Sequence, residues 1–133
     1  MKTLLLKSGL FVLVLTTLSA GRLLAFTAVT DGNWSDPATW GGTAPTGTVS
    51  GDNIIIPSGI DVTLDADVTF SGLLNNFTVD GTLTGAHWLH IQQGTFAGSG
   101  DIDIDRIEFS GLLVTYSHTG DLMVKTLEVS GSV

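Results

Sequence analysis

The sequence predicts an all-β chain, a single-stranded parallel β-helix (β-solenoid) with rungs of about 20 residues and an irregular N-terminal cap. Three observations predict it. Apolar residues alternate at period two between Gly, Asn, Asp and Ser, with no 3.6-residue pattern of useful length. A unit with the same polar break and the same Ser-Gly ending returns at residues 61, 101 and 121. A stretch rich in Trp, Pro and Gly precedes these units and does not share their period.

Residues 1–25 are expected to be a secretory signal peptide. Lys2 and Lys7 precede an apolar stretch from Leu10 to Ala20, and small residues follow. That stretch is about 11 residues, against the roughly 20 that a helix needs to cross a bilayer. An uncleaved anchor is the alternative. Cleavage after Ala25 leaves Phe26 as the mature start; cleavage after Gly21 is the other option. With 1–25 removed, the positive mean hydropathy of +0.39 for the whole chain loses its largest source. Only Arg106 and Lys125 then face 13 carboxylates, a net charge of −11. Such a chain repels polyanions, so no nucleic-acid partner is expected. The bland reading of its acidity is a solvated extracellular surface, although the same charge attracts cations such as Ca²⁺. The absence of Cys excludes disulfides, thiolate metal sites and a Cys nucleophile.

Residues 26–60, with Trp34, Trp40 and the three prolines, are expected to form the cap that covers the first coil's open edges. Residues 61–133 are expected to form the rungs: 61–80, 81–100, 101–120 and 121–133. The apolar pairs Val62/Leu64 with Val68/Phe70, Ile102/Ile104 with Ile107/Phe109, and Leu122/Val124 with Leu127/Val129 face inward, and their phase shifts at a polar break, as at a corner. The 81–100 unit is degenerate but supplies Leu83, Leu89, Ile91 and Phe96. A third face comes from Phe77/Val79 and Val114/Tyr116. The rival architecture is an antiparallel sandwich, for which Asp80-Gly81 would be a hairpin turn. It offers no reason for one corner pattern to return every 20 residues.

Gly32-Asn-Trp-Ser-Asp-Pro-Ala-Thr-Trp40, Pro45, Gly51-Asp-Asn-Ile-Ile-Ile-Pro57, Gly59, Val62-Thr-Leu-Asp65 and Val79-Asp-Gly-Thr-Leu83 together resemble the opening segment of secreted bacterial (Bacteroidota-type) β-helix adhesin-like surface proteins. That segment is similar to the G8 domain. The resemblance spans roughly residues 31–85 and implies extracellular placement and the start of a β-helix, not a reaction. In such proteins a longer helix usually follows, whereas this sequence stops at Val133, two residues after the Ser-Gly of a fourth rung.

No residue set singles out a reaction, so no catalytic, cofactor-binding or metal-binding residues are assigned. Asp101, Asp103 and Asp105 alternate with Ile102 and Ile104 and should point outward about 6.6 Å apart, too far for one Ca²⁺ with its ligand distances of about 2.3–2.6 Å. Glu108 and Glu128 share a phase and would stack as like charges unless they splay or share a cation; Asp105 and Lys125 share one and should pair. His87, His90 and His118 are expected at the surface, with His87 and His90 on opposite sides of a strand. Trp34 and Trp40 are expected to plug the first coil rather than to stack on sugars, and Trp88 is the better candidate for an exposed aromatic contact. Asn33-Trp-Ser and Asn76-Phe-Thr match the glycosylation pattern.

The function expected is a secreted or cell-surface structural or adhesive module, not an enzyme, whose partners are extracellular glycans or surface components. Self-association through an uncapped last rung is a further expectation. The alternative is the N-terminal piece of a carbohydrate-active or glycan-binding β-helix protein whose catalytic coils lie beyond this sequence.

Overall fold

The computed structural model describes residues 25–131 apart from Leu73. The expected signal peptide therefore lies outside the described residues except for Ala25, which opens the first strand. Ten strands follow in order: β1 (Ala25–Thr27), β2 (Gly32–Asn33), β3 (Thr48–Val49), β4 (Asn53–Ile56), β5 (Asp61–Thr63), β6 (Val68–Phe70), β7 (Asn76–Val79), β8 (Thr82–Gly98), β9 (Asp101–His118) and β10 (Leu122–Val129). A 3₁₀ turn, Pro37–Trp40, lies between β2 and β3. Among the described residues no helix is long and apolar enough to cross a membrane.

Every pairing of these strands is parallel, and the chain is a β-solenoid of stacked coils. The sandwich is excluded, because Asp80-Gly81 leads from β7 into β8 without closing a hairpin: the two strands pair through Phe77 and Phe96, in parallel. Three faces result. The first stacks β1, β4, β7 and the last parts of β8 and β9, with Phe26, Ile54, Phe77, Phe96 and Tyr116 in one column. The second stacks β2, β5 and the starts of β8, β9 and β10, with Val62, Leu83, Ile102 and Leu122 in register. The third carries Val49, Phe70, Ile91, Phe109 and Val129.

These columns are the core. Leu83, Leu89, Phe96, Ile102 and Ile107 are fully buried, each worth roughly 1.5–3 kcal/mol relative to an exposed position. Between buried Ile104 and Ile107 the strand exposes two consecutive residues, Asp105 and Arg106, so the inward phase slips by one and the chain turns from the second face to the third. The degenerate unit obeys the same plan, with irregular register at Gly85/Trp88 and Ile91/Gln93.

From Val62 to Leu83, Leu83 to Ile102 and Ile102 to Leu122 the coils are 21, 19 and 20 residues long. The coil before them takes 30, from Gly32 to Val62. Residues 25–60 thus add two short strands, β1 and β4, to the first face and one each to the second and third, β2 and β3, and spend the extra length on the turn that carries Trp40. Asp36 caps this turn, its carboxylate accepting from the Ala38 N–H at 2.9 Å, and Gly41 ends it at φ 73°. Trp34 and Trp40 are both buried and meet edge-on at 5.0 Å; Trp34 also packs edge-on against Phe70 and Phe77. Their indole N–H groups donate to Pro45 O at 2.5 Å and Trp34 O at 2.7 Å, so the burial leaves no indole donor unpaired.

The recurrent Ser-Gly has a steric cause. A Cβ on Gly111 would overlap the carbonyl of Gln92 in the coil below, and one on Gly131 would overlap Gly111 O. Adjacent coils touch backbone to backbone at this corner, which only Gly permits. Replacing Gly111 with Ala is expected to cost about 1–3 kcal/mol, whereas Thr115→Ala, at an exposed position of the same strand, should stay within about 0.5 kcal/mol. Urea melts of the two variants check this; equal losses would refute the backbone contact.

Candidate functional site

Outward residues of the third face form the most developed polar cluster among the described residues. Parallel register places Trp88 beside Arg106, and His90, Glu108 and Glu128 in one column. Like-charged glutamates directly stacked would repel. Arg106 resolves this: its Nη2 donates to Glu128 Oε2 at 2.7 Å and Glu108 Oε2 at 3.1 Å. The shared cation that the Glu108/Glu128 phase calls for is thus a side chain of the neighbouring column. The guanidinium also lies over the Trp88 ring, 5.1 Å from its centroid.

Trp88 and His90 are two apart on β8 and point the same way, their rings nearly parallel at 14° and 5.5 Å apart. His90 Nε2 is 2.6 Å from Ser110 Oγ and 3.5 Å from Glu108 Oε1. Both contacts are to the same ring nitrogen, so this is not the relay in which the acid orients the nitrogen opposite the nucleophile's partner. Asp105 and Lys125 pair at 2.6 Å, as their shared phase predicts. Asp101 and Asp103 point into solvent. Among the described residues no three His, Asp or Glu side chains converge as a metal ion requires.

A second set of carboxylates binds coil to coil at the corners. Asp31 accepts from Asp61 N, Asp80 from Ser99 N, and Asp67 from Trp88 N at 3.2 Å, with His87 Nδ1 also 3.1 Å from Asp67 Oδ1. Asp65 accepts from the Ser35 N–H at 2.9 Å and its hydroxyl at 2.5 Å. Burial pushes the Asp65 carboxyl up, but the Ser35 hydrogen bonds outweigh it and hold it below its ordinary 3.8. Asp67 shows the same balance, with Trp88 and His87 as its partners.

His118 corrects the expectation of a surface histidine. It is buried, stacked on Phe96 at 5.3 Å, and neither ring nitrogen has a protein hydrogen-bond partner. The signal was present: Val114, Tyr116 and His118 alternate on one phase, and Val114 is buried. His87 and His90 are both partly accessible. Nothing in the sequence marks Asn75 for the role it takes. It is buried and replaces missing ladder bonds, its Oδ1 accepting from Asp52 N at 3.1 Å and its Nδ2 donating to Val49 O at 3.4 Å. Asn76, in the expected acceptor motif, is exposed and donates to Asn53 Oδ1 at 2.9 Å.

A carboxyl whose folded-state pKa is depressed contributes its stability in full above the unfolded value and loses it as pH falls through the folded value. Asp65→Asn is therefore expected to lower the melting temperature at neutral pH, and the gap to the unsubstituted chain should close as pH drops below 3.8. Thermal melts along an acid series check this; a gap independent of pH would show that the charge of Asp65 is not what Ser35 holds.

No protein-family model, curated protein or solved structure matches the chain.

Proposed function

We propose that the chain is an exported structural or adhesive β-solenoid module, without catalytic activity of its own, that presents the outer side chains of its third face to an extracellular glycan or cell-surface component. The observation that carries this reading is the Trp88–His90–Arg106–Glu108–Glu128 network. It places an aromatic ring, a guanidinium and carboxylates side by side on rigid strands. A saccharide is matched by such a surface, because an indole covers the apolar face of a pyranose while charged groups take its hydroxyls. The charge network also keeps these side chains in fixed positions, which reduces the ordering cost of binding.

Two further features support export: the lysine-flanked apolar stretch of residues 1–25, and an acidic, Cys-free mature sequence. The resemblance of residues 31–85 to the opening of secreted β-helix proteins points the same way.

Trp88→Ala should leave the fold intact, since the ring is on the outer face and partly accessible. It should weaken glycan binding about 30-fold, the effect of losing roughly 2 kcal/mol at a central aromatic contact. Glycan-array binding of the chain and of this variant, with circular dichroism as the folding control, tests the reading. A chain that binds no glycan or polysaccharide, or a variant with unchanged binding, would defeat the assignment of this face.

A further inference from the structure

The charges of the third face do not balance. Arg106 bridges Glu108 and Glu128 through a single nitrogen, Nη2, so two carboxylates share one cation. His90 lies 3.5 Å from Glu108 Oε1, but with the histidines neutral, as at pH 7, it adds no charge. One negative charge is left over, and it lies toward solvent: the Glu108 side chain is 18% exposed and that of Glu128 49%. Arg106 holds Glu128 by Oε2, which leaves Glu128 Oε1 without a protein partner. Lys125, the one other lysine or arginine of residues 25–131, is engaged by Asp105 at 2.6 Å.

We propose that the glycan bound at this face carries free amino groups and no acid groups, as a polymer of unsubstituted hexosamine does. The proposal rests on the glycan reading of the face and adds the charge of the ligand to it.

An acidic sugar is refused twice. Neither cation is uncommitted, and drawing Arg106 away to a ligand carboxylate would leave Glu108 and Glu128 stacked as bare like charges in register. The surrounding chain, at a net charge of −11 over residues 26–133, also repels an approaching polyanion. An ammonium meets the opposite situation. It neutralises the charge that Arg106 leaves over, through a charge-assisted hydrogen bond roughly twice as strong as the one a neutral hydroxyl makes. A ring beside carboxylates is also a setting that holds organic cations, and Trp88 already carries one, the Arg106 guanidinium 5.1 Å from its centroid. A metal ion is a poorer fit, because among the described residues no three His, Asp or Glu side chains converge.

The rest of the column suits the remaining sugars of such a polymer. Below His90 it continues as Thr69 and Thr48 in register, so its lower end is uncharged and offers hydroxyls. A chain laid along the solenoid axis meets charge at Glu108 and Glu128 and neutral hydrogen-bonding groups further down.

The test is calorimetric titration of the full chain at neutral pH with four probes: a glucosamine hexamer, its fully N-acetylated counterpart, a galacturonic acid hexamer and a lysine hexapeptide. The glucosamine hexamer should bind about fivefold more tightly than the N-acetylated one, the ratio that an exposed charge pair at the upper end of its range gives. The galacturonic acid hexamer should not bind. Glu128→Gln should bring the glucosamine hexamer down to the level of the N-acetylated one. Asp103→Asn removes the same charge from the second face and should change nothing; circular dichroism confirms that both variants fold. Binding of the galacturonic acid hexamer, equal affinity for the two hexosamines, or equal losses in the two variants would each overturn the amine preference of this face while leaving a glycan ligand in place. A lysine hexapeptide that binds as tightly as the glucosamine hexamer would overturn the sugar as the carrier of the amine. A chain that binds none of the sugars would overturn the glycan reading and this proposal together.

Discussion

The rest of the structure depends on the parallel register between successive coils. Once Val62, Leu83, Ile102 and Leu122 stand above one another, every other residue of a coil has its neighbour chosen for it. Strands about 4.8 Å apart carry like positions onto like positions. Inside, this produces unbroken apolar columns. Outside, it brings Glu108 against Glu128 and Asp105 against Lys125 whatever those residues prefer. Charge therefore has to be arranged across coils, and Arg106 between two glutamates is one consequence. The same register forces backbone onto backbone at corners. Gly81, Gly100 and Gly120 form a second column of this kind, in which a Cβ on either of the last two would overlap the carbonyl of the glycine one coil below.

This dependence explains which features were readable in the sequence. A stack with equal coils repeats itself along the chain, so the units at 61, 101 and 121, their corners, their facing and the Asp105–Lys125 pair could be found by alignment of the sequence with itself. Where coil length varies, that signal vanishes. Residues 25–60 hold strands of two to four residues and a coil of 30, so their membership in the three faces left no periodic trace. Gly81 invited a hairpin reading because a turn dipeptide looks the same at a solenoid corner. Residue type alone places His118 at the surface, whereas its phase with Val114 and Tyr116 points inward. The polar network of the third face was legible only in pairs; that Trp88, His90 and Arg106 share one surface required the register across the irregular Gly85/Trp88 step.

The acidity of the chain also divides into two kinds once the coils are placed. Asp101 and Asp103 are exposed, as the solvated-surface reading has it. Asp31, Asp65, Asp67 and Asp80 instead accept backbone N–H groups from another coil. Corners are where ladder bonds lapse, and a short carboxylate side chain reaches a donor there that a strand carbonyl cannot. These aspartates act as corner ties, so part of the negative charge belongs to the scaffold and is not free for a ligand.

The two cations of residues 25–131 lie in the last two coils, where packing is weakest. Lys125 ties β10 to β9 through Asp105, and Arg106 ties β9 to β10 through Glu128. Exposed pairs of this type contribute little, because solvent screens them and ordering long side chains costs entropy. The half-exposed inner layer of β10 weighs more: fully covering its four apolar side chains would be worth about 2–4 kcal/mol at the usual value per buried side chain. The ion pairs therefore set the register of the last coil more than its stability.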